Sequence, residues 1–358
     1  MSVNHNNTST NDKSSALQET IKQAYANQTP LNIIGKGTKS FYGLPAQGER
    51  FEVAGHCGVV DYEPSELVIT ARTGTRLTAI ESTLAQGGQM LAFEPPHFGE
   101  GATLGGTIAC GFSGPRRPYS GSARDFVLGI QCINGKGEIL KFGGQVMKNV
   151  AGYDVSRLMV GALGTLGVLL EVSLKVLPKP VYEITLFWEK TPEEALKLMN
   201  TWAAQSLPLS ATCYVAGQVY LRLSGTEAGV KAARRQLGGE TYHQDKPFWQ
   251  NVREHQHPFF QEPTAQWRLS LAPATPPLNL PGEWFLDWGG AQRWLKTDAS
   301  VDEIRAAVTA VGGHATLFRN PDRIEETEAI FHPLALPLAA LHRRIKNAFD
   351  PLMIFNLP

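Results

Sequence analysis

Gly101-Ala102-Thr103-Leu104-Gly105-Gly106-Thr107-Ile108-Ala109-Cys110-Gly111-Phe112-Ser113-Gly114 places five glycines within 14 residues and sets two hydroxyl side chains, Thr103 and Thr107, among them. Flexible linkers are rich in Gly and Ser and seldom carry large apolar residues such as Leu104 and Ile108. Backbone without Cβ atoms lets main-chain N–H groups come close to an anion, and a diphosphate is the ligand whose charge most needs them. The run is read as a ligand-cradling loop, with a cluster of structural turns as the alternative.

Upstream, Leu17, Ile21 and Ala24 give Ser15 to Ala26 helical spacing, and the apolar strand Leu31 to Ile34 follows. It ends in another glycine loop, the first in chain order, Gly35-Lys36-Gly37-Thr38-Lys39-Ser40. A dinucleotide fingerprint needs a third glycine where Ser40 stands, which disfavours NAD. A strand Leu67 to Thr70, a helix capped by Thr75 and carrying Leu77, Ile80 and Leu84, and a strand Met90 to Phe93 suggest a β-α-β order in a wound α/β lobe. Downstream, Asn134-Gly135-Lys136-Gly137 separates two apolar runs, Phe126 to Ile133 and Glu138 to Phe142, and predicts a hairpin whose turn uses the positive φ that Asn-Gly tolerates. After a strand Val168 to Val176, Leu177-Pro178-Lys179-Pro180 marks a domain boundary. Six of the seven tryptophans lie beyond residue 200, so the second half is expected to form a separate lobe, with Trp249, Trp267, Trp284, Trp288 and Trp294 able to furnish an exposed docking patch or a core. A basic helix, Leu338 to Phe349, closes the chain before Asp350-Pro351.

The 358 residues carry 33 basic and 33 acidic side chains, so no positive field gathers nucleic acid or anionic lipid. Cys57, Cys110, Cys132 and Cys213 form no C-x-x-C pair, which argues against zinc, an iron–sulfur cluster or a disulfide framework in this chain and fits a reducing, cytoplasmic setting. His255 and His257 lie two apart with no third ligand in view, so no metal site is expected. Residues 1–15 read as a polar, disordered leader. The longest apolar run, Leu158 to Leu170, is 13 residues with three glycines, too short for a bilayer that needs about 20. Membrane attachment is expected only through a partner, peripheral to the inner membrane.

Both glycine loops, together with Lys148-Asn149-Val150-Ala151-Gly152-Tyr153-Asp154 and Gly161-Ala162-Leu163-Gly164-Thr165-Leu166-Gly167, resemble the PCMH-type FAD domain of the vanillyl-alcohol oxidase superfamily. More narrowly, Phe93-Glu94-Pro95-Pro96-His97-Phe98-Gly99, Ser113-Gly114-Pro115-Arg116-Arg117-Pro118 and Phe142 to Asn149 look like FAD-binding subunits of bacterial glycolate oxidases. The resemblance implies an α+β protein: a two-subdomain FAD-binding lobe at 16–180, a smaller α/β cap at 181–330, and a C-terminal helix and tail at 331–358 returning to the FAD lobe. It places the cofactor against Gly35, Lys36, Gly37, Thr38, Lys39 and Ser40, and against Gly101, Thr103, Leu104, Gly105, Gly106, Thr107, Gly111, Ser113 and Gly114. Arg124, Asp125, Gly164, Gly167 and Val168 would support its ring and adenine ends. Structural readings stand beside these roles: Asp125 as a cap or a partner of Arg124, and Gly164 and Gly167 as sites of close strand packing.

Residues 35–40 hold no His or Cys for a covalent link, so FAD is expected to be held non-covalently. Many relatives that oxidise 2-hydroxy acids carry an acidic residue at the position of Leu163 and a Gly-Asp-Gly-Asn motif in the cap; this chain has neither. Relatives also continue Asn-Pro-Gly-Arg where this chain reads Asn356-Leu357-Pro358, which loosens the expected contact of tail and flavin. The resemblance implies a role in oxidising glycolate to glyoxylate within a complex that includes a larger homologous flavin subunit and an iron–sulfur subunit, the flavin here being structural or an electron relay. A stand-alone flavin-dependent oxidoreductase acting on a small hydroxy acid or sugar derivative is the alternative. Such oxidation needs a cation for the carboxylate and a base for the hydroxyl proton. His314, Arg319 and Arg116 are the candidates, with Arg117 and His97 behind them, and no motif compels any of them.

Overall fold

A computed structural model of the protein describes residues 11–45, 47–144, 154–320 and 330–356. The stretch Gln145 to Tyr153, part of the resemblance above, lies outside them. The helix Ser14–Asn27 buries Leu17, Ile21 and Ala24 against Leu31–Ile34, which pairs in parallel with Glu49–Glu52. Residues 11–15, which composition assigns to a leader, are tied down. Asn11 N donates to Cys57 O at 2.8 Å, and Asp12 pairs with Arg72 at 3.1 Å.

The main sheet of the first lobe is antiparallel throughout, in the order Val59–Glu63, Val68–Arg72, Val168–Lys175, Val127–Ile133, Ile139–Gly143. The wound β-α-β reading is corrected here. After the helix Leu77–Gln86 the chain leaves this sheet, and Gln89–Met90 pairs instead with Leu177–Pro178, inside the segment read as a breaker. Thr75 does not cap that helix. Its hydroxyl donates to Arg72 O at 2.6 Å and accepts from Gly58 N at 2.8 Å. The hairpin forms, yet its left-handed residue is Gly137 (φ +77°) and not Gly135. Asn134 Oδ1 accepts from Lys136 N and Glu138 N, closing an Asx-type turn.

Beyond residue 181 a single eight-stranded antiparallel sheet runs Glu240–Tyr242, Tyr182–Glu189, Gln218–Gly225, Leu209–Val215, Glu283–Asp287, Gln292–Lys296, Gln266–Ser270, His314–Arg319. Alternation along each strand gives the sheet two faces. Leu221, Leu223, Leu286, Trp267, Leu269, Leu295 and Leu317 pack under the helices Pro192–Ala203, Glu227–Leu237 and Val301–Thr309. The other face carries Cys213, Tyr220, Phe285, Trp294 and Phe318, which meet Phe41, Tyr42, Phe98 and Phe112 of the first lobe. Trp249, Trp267 and Trp294 are buried in these layers, so they form core and not a docking patch.

The closing helix, Leu336–Phe349, runs back to the first lobe. Lys346 Nζ, buried, donates to Thr165 O and to Asp350 Oδ2, both at 2.7 Å. Leu31 N donates to Ile354 O at 2.7 Å, so the tail joins the strand that leads into the first glycine loop. Among the described residues no helix is long and apolar enough to cross a membrane.

Candidate functional site

The two glycine loops are neighbours. A Cβ on Gly101 would stand 2.9 Å from Lys36 Cβ, so Gly101 must be glycine for the loops to meet. The second loop turns at Thr103 into a short helix, Leu104–Cys110, where sequence alone suggests only loop. Thr103 makes this possible: its hydroxyl accepts from Gly106 N at 3.3 Å, while Leu104 and Ile108 are fully buried. Leu104 N and Gly105 N donate to Thr75 O and Thr73 O at 2.9 and 2.7 Å. That helix end is thus largely satisfied from within the protein.

The first loop is not. Ser40 N donates to Gly37 O at 3.1 Å, whereas among the described residues the N–H groups of Lys36, Gly37, Thr38 and Lys39 donate to no atom. Gly37, at φ +72°, supplies the left-handed step that turns successive N–H groups to one side, the arrangement of an anion-binding nest. Nearby, Thr107 is fully buried and its hydroxyl has no partner among the described residues. A Cβ on Gly106 would touch only the Thr103 hydroxyl, at 3.4 Å, leaving room on that side. Free amides, an orphaned hydroxyl and open space beside glycine fit a diphosphate-bearing cofactor.

Other residues expected at the cofactor divide into two groups. Gly111, left-handed at φ +65°, ends the helix and packs on Gly161, while Gly164 lies beside Ile33 and Asn356, so the tail does reach this region. Ser113 Oγ accepts from Ala123 N at 2.9 Å, which fixes the bend to Gly114. The rest have structural duties. A Cβ on Gly105 would stand 2.9 Å from Thr73 Cβ, on Gly114 2.3 Å from Glu94 O, and on Gly167 2.7 Å from Ile133 O. Val168 is buried in the subdomain core. Asp125 is a cap, accepting from Ser122 N and Oγ at 2.8 Å, and Arg124 reaches Val160 O and does not pair with it. Lys39 is buried and donates to His97 O at 3.1 Å, with burial depressing its pKa.

The structure does not gather the catalytic candidates. His314 is exposed. Arg319 lies over the rings of Phe41 and Phe98 at 4.3 and 5.3 Å. Arg116 belongs to a buried network that ties the lobes together: its Nη2 bonds Glu183 at 2.7 Å and its Nε bonds Glu94 at 3.2 Å, and Arg222 bonds Glu94 at 2.8 Å. Arg117 lies 4.3 Å over the Trp288 ring, and His97 is paired with Glu81 at 3.1 Å. Instead a cavity between the lobes opens on Gly111 to Pro115 from one side and on His255, Arg268, Asp287 and Trp294 from the other. Burial raises the Asp287 carboxyl to about 7, and burial with Arg319 and Arg268 nearby drives His255 well below its ordinary range. Read from sequence, His255 and Trp294 take other roles, and Arg268 and Asp287, which come from separate strands, are passed over. The alternation of Trp267, Arg268 and Leu269, which sets a lone cation on the face opposite two core residues, was the available signal.

Loops, orphaned hydroxyl and interlobe cavity together suit a cofactor that carries a diphosphate, as the cofactor of a flavoprotein does. Residues 11–143 match the family model described as FAD binding domain. Over 345 residues, 96% of each chain, the protein is 50% identical to glycolate oxidase subunit GlcE of Escherichia coli (strain K12). It belongs to that family of glycolate oxidase subunits. It is also 31% identical over 187 residues to glycolate oxidase subunit GlcD of Bacillus subtilis (strain 168), covering 51% of this chain and 39% of that one. In fold it is similar to the solved structure of alkyldihydroxyacetonephosphate synthase, at a TM-score of 0.64 and 14% identity, covering 95% of this chain and 73% of that one.

Proposed function

We propose that the chain holds one FAD non-covalently and serves as a flavin subunit of a glycolate-oxidising complex, beside a larger homologous flavin subunit and an iron–sulfur subunit. The observation that carries the cofactor reading is the run of undonated amides from Lys36 to Lys39 lying against the second glycine loop. In this reading the amides of Lys36 to Lys39 and the Thr107 hydroxyl hold the diphosphate in the space beside Gly101 and Gly106, and Gly111 to Gly114 with Gly164 border the ring. When bound, the flavin supplies the two-electron acceptor. A non-covalent bond is favoured because the one thiol beside these loops, Cys110, is pushed up to about 11 by burial and stays a neutral, poor nucleophile. No disulfide joins Cys57, Cys110, Cys132 and Cys213 among the described residues, which suits a reducing, cytoplasmic setting.

The names of the relatives support the complex, and the absence from the sequence of the Gly-Asp-Gly-Asn motif of catalytic relatives favours an electron-relay or structural flavin here. The decisive measurement is the visible spectrum of the purified chain before and after acid precipitation. A yellow supernatant is expected; a colourless protein sinks the cofactor reading, and a yellow pellet sinks the non-covalent one. Co-purification with the larger subunit, and slow or absent bleaching by glycolate without it, test the division of labour.

A further inference from the structure

We infer that Arg268 is the carboxylate clamp of an interlobe pocket that admits a two-carbon 2-hydroxy acid. The inference deepens the proposed function and rests on it for the flavin-side wall, the bend Gly111 to Gly114.

The charge balance of the cavity leads to Arg268. Arg253 is compensated by Glu254 at 2.8 Å. His255 is enclosed by Phe98, Phe260, Trp294 and Phe318 and stays neutral. Asp287 accepts from Trp288 N at 2.8 Å and from the Gln292 amide at 3.4 Å, with no cation on it. Arg268 is half-buried and enters no ion pair among the described residues. Its guanidinium sits 5.7 to 5.9 Å from the rings of Tyr42, Phe112 and Phe318. A guanidinium held partly out of water among aromatic rings without a counter-charge is costly. A planar carboxylate answers that need by bidentate bonding.

Size and surroundings narrow the anion. The cavity is about 50 Å³. Each water-sized group needs roughly 10–15 Å³ on this measure, so the space suits a molecule of the size of glycolate and excludes long side chains. Asp287, Gln292 and His255 offer hydrogen-bonding groups to the hydroxyl end, while Trp294 and Phe318 supply apolar wall.

Glycolate titrated calorimetrically into the purified chain tests this, with flavin content read separately from the spectrum so that loss of cofactor bears on the earlier reading and the heat alone on this one. In R268Q the Kd for glycolate should rise roughly ten- to a hundredfold, the range for losing a charge-assisted bond, while R268K keeps binding within about tenfold and so reports that the site is intact. Six-carbon 2-hydroxy acids should bind the unaltered chain at least about tenfold more weakly. No heat with glycolate, equal affinity in R268Q, or equal affinity for the long acids would overturn the inference.

Discussion

A Cβ atom on Gly35 would stand 2.6 Å from the Thr103 hydroxyl oxygen, so the opening residue of the first loop and the cap of the second loop's helix are packed in direct contact. Gly35→Ala must displace that hydroxyl, which caps Gly106 N. A cost of about 1–2 kcal/mol in stability is expected from the lost cap alone. FAD affinity should fall at least about tenfold because both loops shift together. Flavin fluorescence titration and thermal melting read the two effects; unchanged affinity would separate the loops from the cofactor.

Thr107 gives a sharper separation of stability from binding. Its hydroxyl is fully buried and unpartnered, so Thr107→Val removes an unsatisfied group at nearly constant shape. The flavin-free protein is expected to keep its melting temperature or gain slightly. FAD should bind more weakly by roughly 1 kcal/mol, about fivefold, if the hydroxyl meets the cofactor. Loss of stability without loss of affinity would assign Thr107 to packing alone.

What the sequence made legible follows from which residue types have a local mechanism. Leu31 to Ile34, the strands around Asn134-Gly135 and both glycine loops were readable because short apolar runs bounded by turn residues and Cβ-free backbone act within a few residues. The helix Leu104–Cys110 was hidden because Gly105 and Gly106 each cost about 1 kcal/mol in a helix, a penalty that tertiary burial of Leu104 and Ile108 outweighs. Gly137 took the left-handed turn position expected near Gly135 because Gly135 N instead donates to Phe349 O at 2.8 Å. No local rule connects Arg268 with Asp287: their strands flank Gln292–Lys296 in the sheet, and only that order brings them to one cavity.

Asp287 should make stability depend on pH. Its carboxyl is raised from 3.8 to about 7 in the folded protein, mainly by burial. The folded state therefore binds the proton more tightly than the unfolded state, and this contribution is full below about 4 and lost as pH rises through about 7. Between pH 5 and pH 8 the native protein should lose about 3 kcal/mol that Asp287→Asn does not lose. Urea denaturation of both proteins at the two pH values gives the comparison, and parallel pH profiles would show that Asp287 is ionised throughout.

The strongest stability effect is expected at the tail. Lys346 Nζ meets Asp350 at 2.7 Å, and Asp350, fully buried, also accepts from Ile354 N and Phe355 N at 3.0 and 2.8 Å. Lys346→Met would leave that carboxylate buried without its cation, a change that costs about 3–5 kcal/mol. Lys346→Met with Asp350→Asn removes both charges and should recover a substantial part of the loss, whereas a surface pair would show almost none in either variant. Because Asn356 borders Gly164, the single variant should also weaken FAD binding, and the double variant should restore it in step with stability. Denaturation midpoints measured alongside flavin titrations decide between this coupling and a tail that only packs: flavin affinity untouched while stability falls would confine the tail to the fold.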